Sequence, residues 1–275
     1  VVDREVRLEV YNYFDPLKRV YPFRGIEEGI ILVFENKEDM MKFFKFVNYD
    51  KFTHIIFVAD EGANTFKEIF PNVKDKVLTC NNLIDYNKII NMSSEKINIK
   101  KEKIATFLNV GRHEEKQKRL TRIIDASKIL VQEGFEFRVL MVGDGPDTEK
   151  YKQIVNENNL KNYFIFCGRT KNPYPYFKIS DATILTSEYE GYPVVFIESL
   201  VLGIPLLTTD VSDAKKEIAF KYGIVLKNNT PEEIAKGMKE IILNNNKYKN
   251  AFDPEKFNNK IINKLEKIIN GGTNA

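Results

Sequence analysis

The chain has 275 residues and a mass of 32.0 kDa, which at roughly 100 to 200 residues per domain allows one large domain or two small ones. Hydrophobic residues at 43% and charged residues at 29% exclude a disordered chain and a membrane-embedded one. Forty-two Lys and Arg against 39 Asp and Glu leave a net charge of +3, too little to argue for a nucleic-acid partner, and none is expected.

The first hundred residues read as a small α/β unit of about four strands. VRLEVYNY, GIILVF, FTHIIFV and KVLTC have strand character, and helices are predicted over 38–47 and over ANTFKEIF (63–70). The segment 11–27, YNYFDPLKRVYPFRGIE, is rich in Tyr, Phe, Lys and Arg; it suits either an acceptor-binding surface or an edge strand with a packing loop. The polar stretch NMSSEKINIKKEK (91–103) is the best linker candidate. The expected domains are therefore 1–98 and 99–252, with a C-terminal helix and tail over 253–275. In that helix Asp253 is the N-cap and Pro254 the first helical residue.

From residue 104 onward, short apolar runs alternate with segments of helical period. The runs are IATFLNV (104–110), FRVLMVG (137–143), YFIFCG (163–168), ATILTS (182–187), PLLTT (205–209) and GIVL (223–226). Each is apolar throughout, as strands buried on both faces of a parallel sheet are. In 118–132, Leu120, Ile123, Ile124, Ser127 and Leu130 or Val131 recur at helical spacing. This alternation predicts a doubly wound α/β domain with its ligand crevice at the carboxyl ends of the strands.

Cys80 and Cys167 lie far apart in apolar strand-like runs, neither a disulfide framework nor a metal-ligand spacing, and read as buried thiols in a reducing compartment. No run approaches the roughly 18 apolar residues of a spanning helix, and the N-terminus VVDREVRLEV lacks the apolar core of a signal peptide. A cytoplasmic protein is expected. The chain opens on Val1 and not Met, as a trimmed chain or a fragment would.

Three loops that follow strands carry chemistry. In NVGRHEEKQKRL (109–120) Gly111 permits a tight turn, the next helix is expected to begin near Gln117, and Arg112 and Lys118 flank it. Cations beside free helix N–H groups suit a diphosphate, and they are equally common on solvated faces. VGDGP (142–146) is a G-x-G without the third glycine of a dinucleotide fingerprint and suits a structural turn. In SEYEGYPVVFIESL (187–200), Glu190 and Glu198 are separated by seven residues, with Gly191 and Pro193 in the loop between strand and helix. Glu198 falls about a turn into an apolar helix, where a carboxylate needs donors such as two ribose hydroxyls. The N–H groups of Gly191, Tyr192 and Val194 would face an anion. An N-cap Glu and a buried structural Glu explain the same pattern, which does not choose between the two.

The order NVGR…QKRL, VLMVGDGP, IFCGRTKNPYPYF and DATILTSEYEGYPVVFIESLVLGIPLLTTD resembles the donor-binding half of the GT4 family of retaining glycosyltransferases, over roughly residues 104–250. The resemblance implies the GT-B fold, an α/β architecture of two Rossmann-like domains, here with a short or truncated N-terminal one. It also implies a nucleotide-sugar donor, UDP-linked by expectation, with metal-independent transfer to a glycan, lipid-linked or protein acceptor. Members with NPYPYF and EGYP are similar to enzymes of capsule, teichoic acid and other surface-polysaccharide biosynthesis.

By that resemblance Arg112 and Lys118 hold the donor diphosphate, with Lys116 a second candidate for the lysine. Glu190 faces the donor sugar and Glu198 the ribose. Gly191, Tyr192, Pro193 and Val194 form the loop whose amides meet phosphate or sugar, and Arg169 lies beside the nucleobase. No cofactor and no metal are expected, and the sequence has no D-x-D pair to hold a metal beside a diphosphate. The catalytic assignments are Arg112, Lys118 and Glu190. The acceptor half should be some 80 to 100 residues longer in this architecture by the resemblance, and its glycine-rich loop and histidine have no match in residues 1–50. Neither His54 nor His113 is a confident substitute. A non-catalytic donor-binding subunit with a partner chain is therefore the alternative, and peripheral attachment at the inner membrane face stays open. The missing glycine disfavours an oxidoreductase, and the lack of a pyridoxal-phosphate lysine motif disfavours a phosphorylase.

Overall fold

A computed structural model describes residues 6–10, 30–34, 41, 49–190, 192–210, 220–248 and 252–269. The helix expected over 38–47, the aromatic and basic segment 11–27, Gly191 and the tail 270–275 lie wholly or almost wholly outside these residues. The chain divides into two units, Val1–Leu83 with Asn259–Ala275, and Ile84–Asn258.

In the first unit β1 (Val6–Val10) and β2 (Ile30–Phe34) pair antiparallel, with Leu8 opposite Leu32. β3 (Ile55–Phe57) and β4 (Val77–Thr79) pair in parallel, and α1 (Asp60–Ile69) makes the crossover between them. The core of this crossover is aromatic. Phe57, Phe66 and Phe70 are buried, and the Tyr49 ring, tilted by 50°, lies 4.5 Å from that of Phe70. Each such side chain, fully buried, contributes about 1.5–3 kcal/mol.

The second unit begins with α2 (Tyr86–Met92), capped by Asp85, whose Oδ1 accepts the Lys88 N–H at 3.0 Å. Then follow β5 (Ala105–Val110), α3 (Glu115–Lys118), α4 (Thr121–Gln132), β6 (Phe137–Val142), α5 (Thr148–Glu157) and β7 (Phe164–Gly168). α6 (Tyr174–Lys178), β8 (Ala182–Leu185), α7 (Val194–Val201), β9 (Leu206–Thr208), β10 (Gly223–Val225), α8 (Pro231–Asn244) and α9 (Pro254–Ile269) complete the order. All six apolar runs of the sequence are strands. They form one parallel sheet in the order β10-β9-β8-β5-β6-β7.

The period of two in the strands sorts their side chains between two cores. Phe107, Val139 and Met141 pack with Ile123, Ile124 and Leu130 of α4 and with Met238 of α8. Leu108, Leu140 and Val142 pack with Phe177 of α6 on the other face, joined by Val195 of α7. The strand order reverses between β5 and β8, where only Phe107 and Leu108 find partners, in Ala182 and Thr183. Past them the Asn109 side chain donates to the Ile184 carbonyl at 2.8 Å and bridges the parting strands.

Two boundaries differ from the sequence reading. The stretch 91–103 is no free linker but packs on the second unit: Asn172 Nδ2 donates to the Met92 carbonyl at 2.9 Å, Arg138 Nη2 to that of Lys100 at 2.7 Å, and Ile99 joins the second core. The units therefore meet at Leu83 and Ile84 and not at 98 and 99. α9 is not a separate piece either, since its residues from Asn259 onward belong to the first unit, where Ile261 and Ile268 are buried. Asp253 does cap it, accepting the Lys256 N–H at 2.9 Å.

Candidate active site

The strand order reverses between β5 and β8, and in open α/β sheets the ligand crevice lies at such a reversal, outside the carboxyl ends of the strands. The loops after β5, β6 and β7 are joined backbone to backbone there. Gly111 N–H donates to the Val142 carbonyl, His113 N–H to that of Asp144 and Gly143 N–H to that of Gly168, all at 2.9–3.0 Å. This close approach explains the G-x-G. A Cβ on Gly143, whose φ is +137°, would lie 1.9 Å from the Gly111 oxygen, and one on Gly145 2.3 Å from the His113 oxygen. Both glycines serve packing between loops.

The loop after β5 turns into one helical turn, α3, and not into a long helix starting near Gln117. Arg119 takes a left-handed conformation at φ 49° and separates α3 from α4. Lys118 thus ends a short helix. The N–H of Glu115 at the start of α3 donates to Asp147 Oδ2 at 2.7 Å, so one of the amides of this helix start is already taken. His113 is fully buried against Tyr151 and Phe166, with Nδ1 2.9 Å from Thr148 Oγ1 and no hydrogen-bond partner for Nε2 among the described residues. Burial lowers its pKa, the charge of Asp144 opposes that, and Lys152 adds to it.

Across the crevice the loop after β8 carries Glu190, and Lys118 Nζ meets Glu190 Oε1 at 2.6 Å. The side chains are 21% and 7% exposed respectively, so this pair is largely shielded from water. Ser187 Oγ donates to the same carboxylate oxygen at 2.7 Å, and Gln117 Nε2 reaches Oε2 at 3.5 Å. Three donors from two loops hold the carboxylate. Of the two lysine candidates Lys118 is the one on Glu190, while Lys116 is exposed on α3. Arg112 is not drawn into this cluster: its side chain is 68% exposed and lies 3.7 Å from Glu114.

Glu198 stands apart, half-buried on α7, and accepts a hydrogen bond from the Tyr174 hydroxyl at 3.1 Å. Burial raises the Glu198 pKa and the Tyr174 bond pulls it back. Burial likewise raises the Tyr174 hydroxyl, reinforced by the charge of Glu198. Pro193 is the N-cap of α7 in extended backbone, with no side-chain cap bond, and Val194 is its first residue. Tyr192 and Pro193 are buried beside it. Arg169 is exposed, directly after Gly168 at the end of β7. Among the described residues no group of three or more His, Cys, Asp or Glu is arranged to hold a metal ion. No described helix is long and apolar enough to cross a membrane.

Sequence reasoning missed Tyr174, Ser187 and Gln117. The need of a buried carboxylate for donors was legible, and Tyr174 and Ser187 lie in quoted motifs, but pairing across loops is set by strand order.

Residues 92–256 match the family model described as glycosyl transferases group 1, more than half of the chain, and the chain belongs to that family. It is 29% identical over 174 residues to an uncharacterized glycosyltransferase of Methanocaldococcus jannaschii, covering 61% of this chain and 42% of that protein. It is 28% identical over 187 residues to the lipopolysaccharide 1,6-galactosyltransferase of Salmonella typhimurium, covering 61% and 51%. The chain thus spans about half the length of the curated relatives it matches. Among solved structures it is similar to Anabaena HepE in complex with UDP and glucose, with TM-score 0.68 and 15% identity over 84% of this chain and 67% of that one. It is also similar to Staphylococcus aureus TarM, with TM-score 0.63 and 19% identity over 85% and 46%. The α/β fold is GT-B-like.

Proposed function

We propose that the chain is the donor-binding part of a retaining, metal-independent glycosyltransferase of GT4 type, moving a sugar from a UDP-linked donor to a glycan, lipid-linked or protein acceptor in surface-polysaccharide biosynthesis. The observation that carries this reading is the Lys118–Glu190 pair at 2.6 Å where the strand order reverses, in a chain of the group 1 family. HepE binding UDP and glucose supports the choice of base.

Breaking the bond between the sugar and the diphosphate leaves negative charge on the departing phosphate. Lys118, and Arg112 once its exposed side chain turns to the donor, would stabilise it as cations, with Lys116 the alternate lysine and the N–H groups of Gly191 and Tyr192 before Pro193 and of Val194 after it adding donors. The acceptor oxygen attacks from the face the phosphate leaves, its proton passes to the departing phosphate oxygen, and no protein nucleophile is needed. Glu190 would orient the sugar hydroxyls. Glu198, already held by one hydroxyl from Tyr174, has the acceptor capacity for ribose hydroxyls, and Arg169 would flank the base. Such an enzyme works in the cytoplasm or at the inner membrane face.

The test is calorimetric titration with UDP, GDP and UDP-glucose, followed by donor hydrolysis and transfer assays. UDP binding that is weakened in Lys118→Ala and Glu198→Ala supports the reading; no nucleotide binding overturns it. Binding without hydrolysis or transfer on any acceptor would instead favour a non-catalytic donor-binding subunit that works with a partner chain.

A further inference from the structure

Lys118 and Glu190 come from loops far apart in sequence, and a second set of contacts behind them holds those loops in register. Arg122, on the first turn of α4, donates from Nη1 to the Thr186 carbonyl at 3.0 Å and from Nη2 to Glu188 Oε2 at 2.5 Å. Arg119 Nε lies 3.5 Å from the same Glu188 oxygen. Thr186 Oγ1 returns bonds to the carbonyls of Lys118 at 3.2 Å and Arg119 at 3.1 Å, and Glu188 N–H donates to the Gln117 carbonyl at 2.8 Å. The clasp flanks the site closely on both segments of chain: Lys118 lies four residues before Arg122, across the break at Arg119, and Glu190 two residues after Glu188.

The backbone between them explains why a clasp is required. Arg119 is left-handed at φ 49°, a conformation that residues other than glycine avoid unless their surroundings impose it. That break lies where Lys118 meets the loop after β8, and Thr186 and Glu188 hold residues 117, 118, 119 and 122 around it. Arg122 suits the task because a planar guanidinium can serve a carbonyl and a carboxylate at once from two fixed nitrogens. Both of those nitrogens are committed to the loop, so Arg122 acts on the site through Lys118 and Glu190.

Resting on the donor-site reading above, we propose that Arg122, paired with Glu188, is the positioning residue that sets the Lys118–Glu190 geometry and thereby donor affinity. Two measurements on the full chain test it. The first needs no donor: the side-chain ammonium NMR signal of Lys118, assigned by its loss in Lys118→Met, is followed in Arg122→Gln, Arg122→Lys and Glu188→Gln. A shifted or exchange-broadened signal is expected in both glutamine variants and an intermediate one in Arg122→Lys, whose single ammonium cannot hold both partners. An unchanged signal in both folded glutamine variants overturns the proposal, and Glu188→Gln, which keeps Arg122 on Thr186, carries the test should Arg122→Gln fail to fold.

The second measurement is UDP-glucose affinity by calorimetry. Arg122→Gln should weaken it about tenfold, as a modest misplacement of positioned groups does. Placed on the double variant Lys118→Met, Glu190→Gln, the same change should add less than about twofold, because a residue acting through that pair has nothing left to position. An equal loss in both backgrounds would make Arg122 a structural residue and overturn the proposal. Should the wild type bind no UDP-glucose while the Lys118 signal responds as expected, the donor reading fails and the positioning of Lys118 stands.

Discussion

The Tyr174 hydroxyl donates to Glu198 at 3.1 Å, tying the helix after β7 to the helix after β8 through a carboxylate that the apolar surface of α7 would otherwise leave short of donors. The relationship turns a costly buried charge into a held one. It also leaves the second oxygen of Glu198 without a bond from Tyr174, which is where a ligand hydroxyl would add most.

Stability should carry the pH signature of Glu198. Its folded-state pKa is raised above the ordinary 4.5, first by burial. The stabilisation from a protonated, raised carboxyl is fully present below the unfolded value and is lost as pH rises through the folded one. Thermal unfolding of the wild type and of Glu198→Gln should therefore differ in slope: the wild type loses stability relative to the variant as pH climbs from about 4.5. Parallel curves across that window would contradict it. Tyr174→Phe should raise the Glu198 pKa further and cost about 1–3 kcal/mol near neutral pH, the penalty for a buried acceptor deprived of its donor.

The three glycines of the crevice should respond oppositely to the same methyl group. Gly143→Ala and Gly145→Ala drive a Cβ into backbone atoms at 1.9 and 2.3 Å, which cannot yield as a side chain would. Each should cost about 3 kcal/mol or more by denaturant unfolding. At Gly111 the Cβ would meet the Lys118 side chain at Cε, 3.6 Å away, and Nζ, 4.0 Å away, both ordinary contacts, so Gly111→Ala should stay within about 1 kcal/mol of wild type.

The strands were legible because burial on both faces leaves an unbroken apolar run, and β6, with all six residues buried, is the extreme case. Spacing and family resemblance single out Glu190, Glu198 and Lys118, and the structure joins Lys118 to Glu190 while Glu198 stands apart on Tyr174. The break at Arg119 was not legible, since nothing local requires a left-handed arginine; Glu188 and Thr186 impose it from a loop whose adjacency depends on β8 lying beside β5. Asp147 was equally hidden. Its capping of α3 follows from the packing of Gly145 on His113, which a sequence displays only as a glycine. The linker reading of 91–103 failed for a related reason: Arg138 and Asn172 fix that polar stretch through its backbone carbonyls, and carbonyls carry no sequence signature.

The Lys118–Glu190 pair should be asymmetric. Glu190, at 7% exposure, cannot reach water if Lys118 is lost, although Ser187 still donates to it. Lys118, at 21% and on a flexible stem, can turn outward if Glu190 is neutralised. Lys118→Met should therefore cost about 2 kcal/mol, below the full penalty of breaking a buried pair because Ser187 remains, and Glu190→Gln should cost about half as much. Equal costs in chemical unfolding would show that exposure does not govern the pair.

Far from the crevice, Arg138 on β6 should prove the anchor of the segment that precedes β5. Its side chain is 6% exposed, with Nε on Thr106 Oγ1 at 2.9 Å, Nη2 on the Lys100 carbonyl at 2.7 Å and Nη1 3.7 Å from Glu102. Thr106 is itself held by Asp181, whose Oδ2 accepts its N–H at 2.9 Å. Arg138→Met keeps much of the apolar stem and removes every polar contact, so the loss isolates the guanidinium. The expected cost is about 1.5–3 kcal/mol, the range for a hydrogen bond to a charged group, with faster amide exchange confined to residues 97–104. Arg138→Lys should recover only part of it, because one ammonium cannot reach Thr106 and Lys100 together. Uniformly faster exchange across the sheet would instead make Arg138 a member of the global core, and the segment before β5 would then have no anchor of its own.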